Sequence, residues 1–300
     1  MWAALLSLLP IVTASSSSKR GLVFISSTKD STTDAPVWFT NTDLTWYYNY
    51  GAYPSQQLRQ SALHFVPMLW GAPDDKNDTS FLDSVRSRKL SGENITHVLA
   101  MNEPDMKKDV GGSDISPSDA ASVWLKQIQP LKALGIKVSA PVVSGSPSGY
   151  SWLKSWQDQC DGECNPDFMP IHWYGPFAGF ASWVGNMTTT YPNLEIWVTE
   201  FGLPNADLIS TQVFYNESIN MLDGWSNVSR YAYFGSFRSD SSNIGPAAAM
   251  LTNEGQLTDI GSWYLGGNAT GAKPEGSGCV KSRSTVLFFL VLLAHCLLSI

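Results

Sequence analysis

The chain has 300 residues, 43% of them apolar and 15% charged; it is long enough to bury one large core, at a size common for a single α/β barrel. Its net charge of −7, with no Lys/Arg cluster, excludes the basic face that nucleic-acid phosphates demand and makes polyanions poor ligands. Twelve Trp and eleven Tyr exceed what packing normally requires; their flat faces suit sugar rings, although most must serve the core.

In chain order, residues 1–14 form an apolar stretch ending Val12-Thr13-Ala14. This is the small-residue pattern of a secretory signal peptide, although the usual positive charge near the start is missing. A serine run follows at Ser15–Ser18. Lys19-Arg20 then fits either a dibasic processing site, which makes 15–20 a short pro-segment, or two solvated charges before the first strand. Strand-like runs, β-branched and aromatic and bounded by Gly, Pro or Asn, recur at 21–25, 44–48, 65–69, 97–101, 136–143, 168–174, 194–199 and 230–236. The second is the least well bounded. Helix-like segments lie between them: over 118–134, Ser118 can cap, Ala121, Val123, Trp124, Ile128 and Leu131 fall at helical spacing, and Gly135 is the stop. This is a βαβ rhythm, and eight such runs predict an α/β fold, a single (β/α)8 TIM barrel over 21–266.

Two of the runs end in a carboxylate. Glu103 closes the run from His97 into Asn102-Glu103-Pro104, and Glu200 closes the run from Leu194 into Thr199-Glu200-Phe201-Gly202. Period-2 alternation puts Leu194, Ile196, Val198 and Glu200 on one face and Glu195, Trp197 and Thr199 on the other. An ionised carboxylate that continues an apolar face is costly unless it is paired, hydrogen-bonded or wetted, so a cleft at the strand end is expected. Either Glu alone also fits a loop start or a helix cap. In a (β/α)8 barrel the C-terminal strand ends form the catalytic face, where the tips of the fourth and seventh strands deliver both acids to one mouth. His172 and Tyr174, at i and i+2 on the sixth run, share a face and reach the same mouth, although a lone strand-end His is more often structural. Trp46, Tyr48, Trp70 and Tyr233, each near a strand end, are candidate stacking platforms for sugar rings, whereas Trp38, Trp152 and Trp156 are expected to pack helices or loops.

Other chemistries are disfavoured. No Gly-x-Ser-x-Gly elbow marks a serine hydrolase, and four His with no close ligand pair do not suggest a metallohydrolase, so neither metal nor cofactor is expected. Six Asn-x-Ser/Thr sequons begin at Asn77, Asn94, Asn186, Asn216, Asn227 and Asn268, consistent with a glycosylated exported chain. Cys160 and Cys164 bracket Asp161-Gly162-Glu163 and can close a small disulfide loop in an oxidising compartment, with Cys279 and Cys296 towards the end of the chain. Residues 267–285 read as a Gly/Ser-rich spacer and anchor-attachment region. The apolar run 286–300 is shorter than the roughly twenty residues needed to span a bilayer, so it fits a GPI-anchor signal better than its rival, a short tail anchor.

The segments Asn102-Glu103-Pro104-Asp105, Met169-Pro170-Ile171-His172-Trp173-Tyr174 and Trp197-Val198-Thr199-Glu200-Phe201-Gly202, in this order and spacing, resemble a fungal glycoside hydrolase family 128 domain. The loop with Cys160 and Cys164 ahead of Asp167-Phe168 also looks like that family, and the resemblance covers roughly 20–266. It implies the barrel of the large retaining-glycosidase clan and an endo-β-1,3-glucanase, with Glu103 as general acid/base, Glu200 as nucleophile and Asn102 holding the sugar 2-hydroxyl. The implied partner is a β-glucan polysaccharide. A monomer that is secreted, sits at the cell surface or wall and touches membrane only through its anchor is the expected setting. A glucan-binding surface protein that has lost turnover, and a β-glucan transglycosylase, remain open as alternatives.

Overall fold

The computed structural model describes residues 17–28, 30–75 and 77–276. The expected signal peptide, the anchor signal at 286–300, Cys279, Cys296 and the 277–285 part of the spacer lie outside the described residues. Among the described residues, eight strands run in parallel: β1 (Arg20–Val23), β2 (Trp46–Tyr48), β3 (His64–Phe65), β4 (His97–Val98), β5 (Lys137–Val138), β6 (Phe168–Tyr174), β7 (Glu195–Gly202) and β8 (Val228–Tyr233). Each falls on one of the eight runs read from the sequence. Within the described residues seven α-helices accompany them: α1 (Ser31–Asp34), α2 (Ser80–Leu90), α3 (Pro117–Val123), α4 (Pro147–Cys160), α5 (Phe177–Thr190), α6 (Leu208–Gly224) and α7 (Asp259–Tyr264).

The ladders form a six-stranded sheet, β3-β2-β1-β8-β7-β6, and a separate pair, β4-β5. Short parallel bridges join the two on both sides. Met68 pairs with Leu99 between β3 and β4, and Ser139 with Phe168 and Val143 with Ile171 between β5 and β6. The strand order is therefore cyclic, as a (β/α)8 architecture requires.

Alternation along the strands separates two cores. Trp46 and Tyr48 on β2, Phe168 on β6, Trp197 on β7 and Ala232 on β8 point into the barrel, whereas Tyr47, Met169, Ile196, Val198, Tyr231 and Tyr233 pack outward with the helices. Trp197 fills the interior, its ring centroid 4.3 Å from Phe168, 4.9 Å from His97 and 5.2 Å from Trp46. The Arg230 guanidinium lies 4.4 Å from the Trp197 ring and 5.6 Å from Trp46, a cation–π plug at the N-terminal end of the barrel. Burial lowers Arg230 to about 10. Gly21 has a packing reason: a Cβ there would lie 2.1 Å from the Trp46 ring.

The segment expected to be one helix over 118–134 is built differently at both ends. Ser116, not Ser118, is the cap, its side chain accepting from Asp119 N–H, because Pro117 takes the first helical position. Beyond Val123 the chain passes through a π turn (Trp124–Ile128) into a 3-10 stretch (Gln129–Leu134), since Pro130 cannot donate to the ladder; Gly135, at φ 72°, stops it as expected.

Candidate active site

The seventh strand is irregular where its carboxylate sits. Ile171 on β6 faces Val198 and His172 faces Glu200, so Thr199 has no partner; on the other side Val198 faces Tyr231 and Phe201 faces Tyr233. This is a β-bulge, an extra residue that re-aims the next side chain. Unbroken alternation would place Glu200 with Ile196 and Val198 against the helices. The bulge instead returns it to the inner face shared by Trp197, correcting the facing read from the sequence.

Glu200 is 5% exposed and arrives among donors. Tyr48 Oη (3.0 Å) and Tyr50 Oη (2.7 Å) donate to its Oε1, and Tyr174 Oη donates to Oε2 at 2.6 Å. Burial pushes all three phenols well above their usual range, so they remain donors. Glu200 itself feels opposing influences. Burial raises its pKa and the Glu103 charge adds to that, while His172 and the hydrogen bonds from Tyr174 and Tyr50 pull it down; the balance lies above the ordinary glutamate value.

Glu103 stands across the mouth, at the tip of β4. Its backbone takes φ 39°, a left-handed conformation that costs a non-glycine residue about 1–3 kcal/mol unless its surroundings hold it. They do: Glu103 N–H donates to Val142 O at 2.7 Å, and its carbonyl accepts from Met106 N–H at 2.9 Å. Next to it, Asp105 accepts from the backbone and hydroxyl of Ser144, fixing the loop after β5 at the edge of the cleft.

His172 joins the two acids. Fully buried, it sets Nδ1 3.0 Å from Glu103 Oε1 and Nε2 3.5 Å from Glu200 Oε1. A ring facing a carboxylate on each side can donate to both only as imidazolium. Burial opposes that charge, but the Glu200 charge and the hydrogen bond and charge of Glu103 outweigh it, raising the His172 pKa. His172 has no exposed surface with which to meet a sugar and acts between the acids.

The acids open into a cleft of about 760 Å³ whose lining includes Tyr50, Trp70, Asn102, Glu103, Trp173, Tyr174, Glu200, Phe234 and Ile244. Asn102 donates through Nδ2 to Gly111 O at 3.2 Å, and its buried Oδ1 has no protein partner. Among the four proposed platforms, only Trp70 lines the cleft. Trp46 opens β2 at the N-terminal end, is 1% exposed and donates through Nε1 to Lys19 O, so it belongs to the barrel interior. Tyr48 is enclosed beneath Glu200 and serves as its donor instead of a stacking surface. Tyr233 faces the helices; the inward residue at that strand end is its neighbour Phe234. Several cleft residues carry no signal in the sequence pattern, among them Tyr50, which lies two residues past β2 at φ 62°, outside any periodic pattern, and Trp173, which sits between His172 and Tyr174.

Trp38 and Trp156 are core residues and Trp152 packs against that core, as expected. Cys160 and Cys164 form a disulfide, with Cα atoms 5.4 Å apart. Of the six sequons, Asn77, Asn94, Asn186, Asn227 and Asn268 are exposed. Asn216 differs from the other five in lying within α6, half-buried, with Oδ1 enclosed. Among the described residues, no group of three or more His, Cys, Asp or Glu is placed to hold a metal ion.

A family model described as the glycosyl hydrolase catalytic core matches residues 21–264. Among curated proteins, the chain is similar to alkali-sensitive linkage protein 1 of Schizosaccharomyces pombe, 29% identical over 261 residues, covering 84% of this chain and 45% of that protein. The chain thus spans less than half the length of the curated relative it matches. Among solved structures it is similar to a curdlan-specific exo-β-1,3-glucanase of glycoside hydrolase family 128, subgroup III, from Blastomyces gilchristii (TM-score 0.66, 28% identity, 83% of this chain and 98% of that one). It is also similar to the subgroup IV endo-β-1,3-glucanase of Lentinula edodes (0.66, 25%, 82% and 99%) and to a subgroup VII oligosaccharide-binding protein of Cryptococcus neoformans (0.61, 25%, 85% and 96%).

Proposed function

Because the chain belongs to the glycosyl hydrolase catalytic core family and resembles solved glucanases of glycoside hydrolase family 128, we propose that it is a β-1,3-glucanase that cuts within the chain by double displacement, with Glu200 as nucleophile and Glu103 as acid/base. The observation that carries this reading is the single imidazole, His172, that touches both carboxylates at the floor of an open cleft. In such a mechanism one ionised carboxylate attacks the anomeric carbon while the other gives its proton to the leaving oxygen. Hydrogen bonds from Tyr174 and Tyr50 favour the charged form of Glu200, and His172, a protonatable base between the acids, lies within hydrogen-bonding reach of Glu103.

The same cluster accounts for the second half-reaction. Once Glu200 is an ester its charge is gone, and with it the largest influence holding the proton on His172. The cluster then binds fewer protons, and Glu103 can take one from the attacking water. The unpartnered Oδ1 of Asn102 suits a hydroxyl of the sugar at the cleavage site.

The setting we propose is the cell surface or wall, after export and with a GPI anchor; the apolar stretch at 1–14, the five exposed sequons and the disulfide support it. The test is incubation with linear β-1,3-glucan beside β-1,4- and β-1,6-linked controls, reading product lengths with time and the anomer first formed. Mixed short products of retained anomer from the β-1,3 polymer alone are expected. Glucose alone from the outset would make the enzyme exo-acting, inverted product would remove the nucleophile role, longer products would indicate transglycosylation, and binding without release would place the chain with the oligosaccharide-binding proteins.

A further inference from the structure

The ten residues after the barrel, 267–276, lie beyond the match to the catalytic core, yet they are tied to it throughout. Gly267 N–H donates to Ser262 O at 2.8 Å, Ser262 Oγ to Asn268 O at 2.6 Å, and the N–H groups of Thr270 and Gly271 both donate to Asp259 Oδ1 at 2.8 Å. Pro274 is buried. Glu275 then reaches the loop that follows β8, its Oε2 accepting from Ser239 Oγ at 2.7 Å and from Asn253 N–H at 2.8 Å. These bonds hold the Glu275 carboxyl down at about 2, so it remains ionised over any working pH.

Ser239 and Asn253 are the two feet of one loop. Asn253 Oδ1 accepts from Asp240 N–H at 2.9 Å and shares the Ser239 hydroxyl proton with Glu275, while Asn253 O accepts from Arg238 Nη1 at 2.9 Å. Arg238 in turn grips Asp34 through Nε and Nη2, at 2.9 and 2.8 Å. Between the feet, Asn243 and Ile244 line the cleft, and Ile244 O accepts from Asn205 N–H at 2.7 Å, next to the loop that leaves β7. An added Cβ on Gly202 would lie 2.8 Å from Ile244 Cδ1, which shows how closely this wall stands to the strand end carrying Glu200.

We propose that segment 267–276 is an arm that sets the cleft wall carrying Asn243 and Ile244, and that Glu275 is a positioning residue determining how tightly extended glucan is held. This rests on the glucanase reading above. Glu275 touches neither acid, so its removal loosens the wall while leaving the chemistry intact.

The experiment compares full-length wild type, Glu275→Ala and Glu275→Gln on linear β-1,3-gluco-oligosaccharides of graded length, with amide hydrogen exchange at Asn205 alongside. Glu275→Ala should raise KM for the longer oligosaccharides about fivefold or more, change kcat less than twofold and speed exchange at Asn205, with Tm nearly unchanged. Glu275→Gln, which keeps an acceptor oxygen, should recover most of the affinity. Wild type that cuts glucan while Glu275→Ala matches it at every length sinks the inference alone, as does a parallel loss of kcat and Tm at all lengths, the mark of a merely structural role. Wild type that neither cuts nor binds these sugars ends the glucanase reading, and the arm's role in substrate binding ends with it.

Discussion

Tyr174 donates to Glu200 Oε2 at 2.6 Å while no phenol but Tyr48 and Tyr50 serves the opposite oxygen among the described hydrogen bonds, so one side of the carboxylate depends on a single hydroxyl. Tyr174→Phe removes a donor to the charged form, which raises the Glu200 pKa further. The acid limb of the rate profile should move to higher pH, with kcat/KM below that limb falling about ten- to hundredfold, as loss of a hydrogen bond to a charged group implies. A pH–rate profile identical to wild type would remove Tyr174 from the support of Glu200.

The two acids are separable by rescue. Glu103→Ala and Glu200→Ala should each lower turnover by about a thousandfold or more. Azide added to Glu103→Ala with an activated aryl glucoside should yield the β-glycosyl azide, because the covalent intermediate still forms. With Glu200→Ala, azide enters the vacated face and yields the α-azide. Chromatographic identification of the opposite anomers would exchange the two roles.

Stability should carry the mark of the buried Glu200 carboxyl. A carboxyl whose folded pKa is raised binds more protons folded than unfolded near that pKa, so its stabilising contribution is present below the unfolded pKa and lost as pH rises through the folded one. Glu200→Gln escapes that loss. Its Tm should exceed wild type by roughly 2–4 °C at pH 7, a gap that shrinks below the ordinary glutamate range. Calorimetry at pH 4 and 7 checks this, and a larger gap at pH 4 would reverse the sign.

Two tryptophans should behave oppositely. Trp70→Ala, in the cleft, should raise KM about tenfold and leave Tm nearly unchanged. Trp46→Ala, in the barrel interior, should cost about 3–5 kcal/mol of stability in denaturant unfolding while sparing the KM of whatever remains folded.

The Cys160–Cys164 bridge closes only a short loop, so chain entropy assigns it about 2 kcal/mol. Cys160→Ser with Cys164→Ser should lower Tm by roughly 4–8 °C without altering kcat, since the loop follows α4 away from the mouth.

The eight strands were legible because β-branched and aromatic runs lay between clear punctuation, and Glu103 and Glu200 because each interrupts an apolar run where a charge is costly. Local pattern failed where a backbone departure carried the geometry. Nothing in the residue type of Thr199 announces a bulge, so alternation turned Glu200 the wrong way. Tyr50 sits past β2 at φ 62°, and its reach to Glu200 arises only when distant strands close. Trp46 and Tyr233 lie away from the cleft for simpler reasons: one begins its strand instead of ending it, and the other has the opposite pleat.

The cyclic sheet is joined by continuous ladders everywhere except beside β4 and β5, where isolated bridges do the joining. Glu103 rides on that pair, and Glu200, His172 and Tyr174 ride on the six-stranded side. The seams should therefore open before the continuous ladders on warming, drawing Glu103 and Glu200 apart. Heat inactivation should set in reversibly, several degrees before the cooperative melt.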